Sequence, residues 1–133
     1  MRGNGMMNMP ITDNIADILH ITGAITAAML VQFLLPQPFL RAICKIDLED
    51  EAGLFFARHW GLLAFVMGGL LMYAGDHAEL RFAVMLAASI EKAGFAFFVF
   101  RDFKRIHMRG LRIAAVFDTA CVLMYGAYLL EWA

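Results

Sequence analysis

Charge is scarce in this sequence of 133 residues: Asp, Glu, Lys and Arg make up 17% of it, where an ordinary soluble domain carries about 25%. Neither sign dominates. Eleven basic residues stand against twelve acidic ones, a formal charge of −1, so there is no basic field to hold nucleic acid. Cysteine is as sparse. Cys44 and Cys121 stand on different elements with no Cys-x-x-Cys, which indicates neither a redox pair nor a zinc site. The chain also lacks a Gly-rich phosphate loop, a Gly-x-Ser-x-Gly elbow and a Glu-x-x-His pair, so the common signatures of phosphoryl transfer, serine hydrolysis and di-metal chemistry are missing.

Apolar residues fill the space that charge leaves, at 62% of the chain and a mean hydropathy of +0.68. A chain of about 150 residues buries only about 70% of its surface, so a soluble domain of this size has too little interior to hide the excess. The composition points to an integral membrane protein. A hydrocarbon layer about 30 Å thick takes about 20 apolar residues as a helix, and four windows qualify: 15–35, 54–74, 82–100 and 113–130. The expected fold is an all-α, single-domain, four-helix transmembrane bundle covering residues 1–133. The first window lacks a basic leader, carries Asp17 and His20 and runs long, so it reads as a span and not as a signal peptide. Pro36 closes it, and Phe39, Leu40 and Ile43 at helical spacing predict a short interfacial helix over about 38–46.

Lys and Arg set the orientation. Arg41 and Lys45 lie in the 36–53 loop, and Arg101, Lys104, Arg105, Arg109 and Arg112 lie in the 101–112 loop. Both loops are therefore expected in the cytoplasm and both termini outside it, in a bacterial inner membrane. The five basic residues of the second loop are candidate contacts for anionic lipid. The acidic run from Asp47 to Glu51 reads as a solvated turn or as a docking strip for a basic partner.

Small residues at four-residue spacing let membrane helices approach closely. Gly23 with Ala27, Ala64 with Gly68, and Ala83 with Ala87 are the expected contact pairs. Trp60 and Trp132 read as interface anchors.

Ionisable groups inside spans are costly, roughly 2.5–3.5 kcal/mol each on the insertion scale, and so are informative. Asp17, His20, His59, Glu91, Lys92 and Asp118 are the six. Glu91 and Lys92 fall near the middle of the third span. His59 and Asp118 fall roughly 8 Å inside the loop-bearing face at a rise of about 1.5 Å per residue. The expected cluster joins Arg58, His59, Glu91, Lys92 and Asp118, with Asp118 bonded to His59 or Arg58 and Lys92 reaching toward Asp118. Neighbours in sequence diverge by about 100°, so Glu91 and Lys92 do not face each other. Glu91 is expected to have another partner or to be neutral at pH 7 through desolvation. Such a cluster serves as polar glue between helices, as a pocket for substrate, proton or cofactor, or as a docking site for another membrane subunit.

The stretch from Ala16 to His20 resembles the Ala-x-x-x-His ligand motif of bacterial light-harvesting polypeptides, which implies His20 as a ligand to haem or chlorin. A bis-histidine haem is disfavoured, because His20 and His59 fall at opposite depths. The run Ala57-Arg58-His59-Trp60-Gly61-Leu62-Leu63 resembles a group of small bacterial four-helix membrane proteins of uncharacterised function. It is also similar to the scaffold protein of the eukaryotic sterol C-4 demethylation complex, whose second helix opens on an Ala-Arg-x-aromatic-Gly run. The third span departs from that scaffold at Glu91 and Lys92. The resemblance implies a non-enzymatic tether of membrane enzymes.

Three expectations result. The first is a non-catalytic accessory or scaffold protein that binds membrane lipids and a membrane-protein partner or a second copy of itself. The second is a minimal transporter or enzyme using Glu91 and Lys92 with His59 and Asp118. The third is a subunit carrying haem or chlorin on His20.

Overall fold

The computed structural model describes residues 14–44, 47, 49–104 and 110–132. Among them the chain is helical with no strand. Helix α1 runs Ile15–Ala27, α2 Leu30–Leu34, α3 Pro36–Phe39, α4 Glu51–Asp76, α5 Arg81–Arg101 and α6 Arg112–Trp132. A π turn over Leu40–Cys44 follows α3, and a 3₁₀ turn over Ala78–Leu80 joins α4 to α5. Four segments are long and apolar enough to cross a bilayer: Ile15–Leu34, Glu51–Asp76, Ala78–Arg101 and Arg112–Leu130. Each of the four expected windows falls on one of them.

The first span is broken in the middle, and its sequence shows why. Thr22 and Thr26 hydroxyls donate back to the carbonyls of Ile18 and Thr22, at 2.7 and 2.8 Å, a habit that bends helices. The backbone then tightens, with Val31 and Gln32 amides donating three residues back, to Ala28 and Met29, before α2 resumes. Leu35 leaves helical geometry at φ −133°, ψ 70°, since a residue before proline is pushed out of the α region. Pro36 opens α3 at a position where its missing amide costs nothing. The interfacial helix expected over 38–46 thus starts two residues earlier and turns π-helical from Leu40. Residues 45 and 46 lie outside the described residues.

Asp50 accepts a hydrogen bond from the Gly53 amide at 2.7 Å and caps α4, so this member of the acidic run has a local structural task. At the far end Arg81 folds back over the last turn of α4. Its Nε and Nη2 donate to the Ala74 and Gly75 carbonyls at 2.9 and 2.8 Å, supplying both the missing donors and a cation at the helix C-terminus.

The bundle is two tight pairs set side by side, since α1 with α2 lies along α4, and α5 along α6, far more extensively than α4 meets α5. Gly23 and Gly68 face each other across the first seam. A Cβ on Gly23 would lie 2.7 Å from the Gly68 carbonyl, and one on Gly68 2.7 Å from Ala27 Cα. Gly61 meets Phe33 of α2 the same way, at 2.7 Å from its amide nitrogen. The third expected small-residue pair does not form. The buried stripe of α5 is Met85, Ala88, Lys92, Ala96 and Val99, which leaves Ala83 and Ala87 exposed on the opposite side.

The core is asymmetric along the bundle. At the end away from the 40–50 and 102–111 loops, Leu19, Leu71, Met85, Cys121 and Tyr125 are fully buried in one cluster. At the loop end two smaller clusters, Leu40 with Ala57 and Ala96 with Val99 and Ala115, stand around a cavity. Outside, large apolar side chains such as Phe55, Phe56, Ile90, Ile113 and Leu123 stand exposed around the helices, an arrangement that suits lipid and not water. The side chain of Trp132 lies outside the described residues. Trp60 is half-buried with its ring 5.3 Å from Phe95, so it packs between α4 and α5.

The glycine seam makes a direct prediction. Gly68→Ala drives a methyl into the α1 backbone and should lose about 1–3 kcal/mol of stability, whereas Gly69→Ala meets open space and should lose nothing. Reversible unfolding in mixed micelles measures both; equal losses would contradict the seam.

Candidate functional site

Lys92 is the centre of the polar interior. The stripe it shares with Ala88 and Ala96 turns it inward, where it is 2% exposed. Its Nζ donates to Asp118 Oδ1 of α6 at 2.9 Å and to Thr26 Oγ1 of α1 at 3.1 Å, and it lies 5.0 Å from the centre of the Phe117 ring. One ammonium group therefore links three helices and both pairs. A second bridge lies one turn away, where Thr22 Oγ1 and Tyr125 Oη are 2.6 Å apart. Thr22 has already given its hydrogen to Ile18, so Tyr125 is the donor.

The expected cluster is brought together only in part. Lys92 and Asp118 meet. Arg58 and His59 do not join them: the inner face of α4 is Ala57, Gly61, Ala64 and Gly68, and the next two residues after Ala57 swing off it. Both are exposed, and His59 stacks on Phe55 at 6.4 Å between ring centres. A His59–Asp118 relay is thus not assembled. Glu91 turns to the side, exposed and with no hydrogen-bond or ion-pair partner among the described residues.

Lys92, Asp118, Thr26 and Glu91 form one end of a cavity of about 350 Å³. All four spans wall it, with Met29, Trp60, Phe95 and Ala114 among the lining residues, and Phe39 and Ile43 from the interfacial segment cover its loop end. From Ile113 to Asp118 the cavity wall runs about 7.5 Å along α6 at about 1.5 Å per residue, and Gly110 and Leu111 extend it toward the loop. The site is an apolar chamber with a polar floor at mid-span.

His20 is elsewhere. Its Nε2 lies 3.1 Å from Asp76 Oδ1, and a Cβ on Gly75 would fall 2.7 Å from the same nitrogen. The Ala16 face is taken as well, since that Cβ would lie 3.2 Å from the Ala16 carbonyl. Helix α4 thus occupies the room beside Ala16 that the small residue was expected to leave for a macrocycle. Among the described residues no group of three His, Cys, Asp or Glu could hold a metal ion.

The basic loop is partly committed to its own fold. Arg112 donates through Nη2 to the Phe103 carbonyl and stacks 3.6 Å from the centre of that ring. Arg101 lies over Phe97 and Phe98, at 5.8 and 5.2 Å. Lys104 is exposed, while Arg105 and Arg109 lie outside the described residues.

Sequence reasoning passed over Thr22, Thr26, Tyr125 and Gln32. Gln32 is fully buried and donates to the Ala57 carbonyl at 2.6 Å, tying α2 to α4. Hydroxyls spaced four apart in a span, and a lone amide in an apolar run, were the available signals. No protein-family model, curated protein or solved structure matches the chain.

Removing one partner from a buried ion pair leaves an uncompensated charge and commonly loses about 3–5 kcal/mol. Lys92→Met and Asp118→Leu should each fall in that range, and the double variant should be more stable than either. Unfolding in mixed micelles gives the three values; strictly additive losses would show that the two groups do not interact.

Proposed function

We propose that this is a small, non-catalytic integral membrane protein, an accessory or scaffold that works by binding other membrane components, and that the chamber above Lys92 and Asp118 is where one of them binds. The observation that carries the proposal is the chamber itself. It lies among all four spans toward the loop end, and mostly apolar pockets with a few convergent polar groups are the usual form of small-molecule sites. The run from Ala57 to Leu63 adds support by its resemblance to a tether protein, although its Ala57 and Gly61 also serve the contact with α2.

Self-association or a place in a larger assembly belongs to the same proposal, as do contacts of the 101–112 loop with anionic lipid. The test is purification of the tagged chain from its own membrane in gentle detergent, with mass spectrometry of proteins and extracted lipids. A component co-eluting in fixed proportion is the expected result. A bare chain with no retained component would overturn the reading.

The orientation proposed is both termini outside the cytoplasm and loops 36–53 and 101–112 within it, in a bacterial inner membrane. The reasoning is the excess of Lys and Arg on those loops. An alkaline phosphatase fused at the C-terminus should then be active and a green fluorescent protein there dark. The opposite pattern would reverse the assignment.

One observation favours a second reading. Glu91 lies beside the chamber without a hydrogen-bond partner among the described residues, as the group of a minimal transporter or membrane enzyme would. Turnover or ion flux in liposomes that Glu91→Gln abolishes, with the fold intact, would establish it in place of the first.

A further inference from the structure

The chemistry of the chamber floor limits what its occupant can present. Lys92 is an ammonium with three hydrogens. One goes to Asp118 and one to Thr26, and the ring of Phe117 lies beside the nitrogen. Thr26 Oγ1 gives its own hydrogen to the Thr22 carbonyl. The floor therefore has almost no donor left to offer.

Acceptors remain. Asp118 uses only Oδ1 on Lys92, and both oxygens of Glu91 have no hydrogen-bond partner among the described residues. One ammonium stands against two carboxyl groups, in a chamber whose other surfaces are apolar. Glu91 falls midway along the 21 residues of α5, where a carboxylate without a counter-ion is most costly. The aromatic rings of Trp60, Phe95 and Phe117 line the same space, and such faces attract cations, most strongly where water is absent.

We infer that the chamber binds a lipophilic amine in its protonated form, with the ammonium head between Glu91 and Asp118 and the apolar body among Trp60, Phe95 and Phe117. This rests on the reading of the chamber as a binding site and names the class of its guest. Carbonyl-headed molecules such as quinones or esters find at most the third Lys92 hydrogen, which faces the Phe117 ring. Carboxylate and phosphate heads meet two acids. A neutral alcohol can donate one hydrogen bond but brings no charge, and charge-assisted hydrogen bonds are roughly twice as strong as neutral ones. An apolar cavity of about 150 Å³ holds a benzene, so one of about 350 Å³ has room for two fused rings with a short arm.

Three probes with one body separate the possibilities: 1-naphthylmethylamine, 1-naphthylmethanol and 1-naphthoate, each tritiated. Binding is measured by equilibrium dialysis against the full chain in nanodiscs of zwitterionic phosphatidylcholine at neutral pH, with empty nanodiscs subtracted. The amine should bind at least about tenfold more tightly than the alcohol, a difference of about 1.4 kcal/mol, and the carboxylate weakest. Glu91→Gln should remove most of the advantage of the amine while leaving the alcohol nearly unchanged. Ala114→Phe, which narrows the chamber, should weaken both. Alcohol or carboxylate binding at least as tightly as the amine, and still weakened by Ala114→Phe, would overturn the inference and leave the chamber as a site for some other guest. Absence of binding by all three probes would overturn the inference and count against the chamber reading beneath it. The comparison among probes on the unaltered chain stands even if a variant fails to fold.

Discussion

An ammonium group held near the middle of an apolar bundle must find acceptors within reach, and that requirement on Lys92 organises much of what surrounds it. Its partners lie on α1 and α6, so α5 can take only the rotation that aims Lys92 between them. That rotation carries Ala88 and Ala96 inward with it and turns Ala83 and Ala87 out. It also swings Glu91 to the flank. A well-packed apolar pair of similar volume commonly holds such a place at least as firmly as an ion pair does. The contribution of the pair is therefore to specify which faces meet, and to place charge beside the chamber.

The two helix pairs are held together by different means within and between. Inside the α1–α4 pair, glycines bring backbone against backbone, and dispersion over the long contact supplies the attraction that a lipid surround cannot supply by the hydrophobic effect. Between the pairs the contact is sparser and more polar, with Lys92 and the Thr22–Tyr125 bond as its bridges. Large side chains such as Leu71, Met85 and Tyr125 fill one end. Toward the loops the break in the first span and the turn of the 36–44 segment leave the pairs less completely filled, and the chamber opens there. The hollow is thus a consequence of where the sequence put its bulk and where its prolines turned the chain.

The spans were legible because an unbroken run of about 20 mostly apolar residues is rarely anything but a membrane helix. The small residues that line the seam, Gly23 with Ala27 and Ala64 with Gly68, were legible from spacing, though not that Gly23 meets Gly68. The Lys92–Asp118 contact was legible from depth and side-chain length. What failed was rotation about the helix axis. Nothing local distinguishes Ala83–Ala87 from Gly23–Ala27 until the burial of Lys92 fixes the inner face of α5. Arg58 and His59 lie at the right depth but on the wrong side of α4, since Ala57 and Gly61 claim the inner one. His20 was read by its own helix alone, and its neighbour Asp76 comes from the end of another. Depth follows from counting residues, whereas azimuth depends on partners distant in sequence. The chamber belongs to the second kind, because a cavity is a property of four helices together.

The central claim is that Lys92 is bonded to Asp118 across the interior. Solid-state nuclear magnetic resonance of the chain in lipid bilayers tests it most directly. Lys45→Arg and Lys104→Arg leave one lysine Nζ to label with ¹⁵N, and ¹³C on aspartate carboxyls reports proximity through dipolar dephasing. Strong dephasing between Lys92 Nζ and one carboxyl carbon, abolished by Asp118→Asn with selective loss of that signal, is the expected result, in keeping with 2.9 Å to Oδ1. A folded chain in bilayers whose Lys92 signal shows no dephasing from Asp118 would contradict the account.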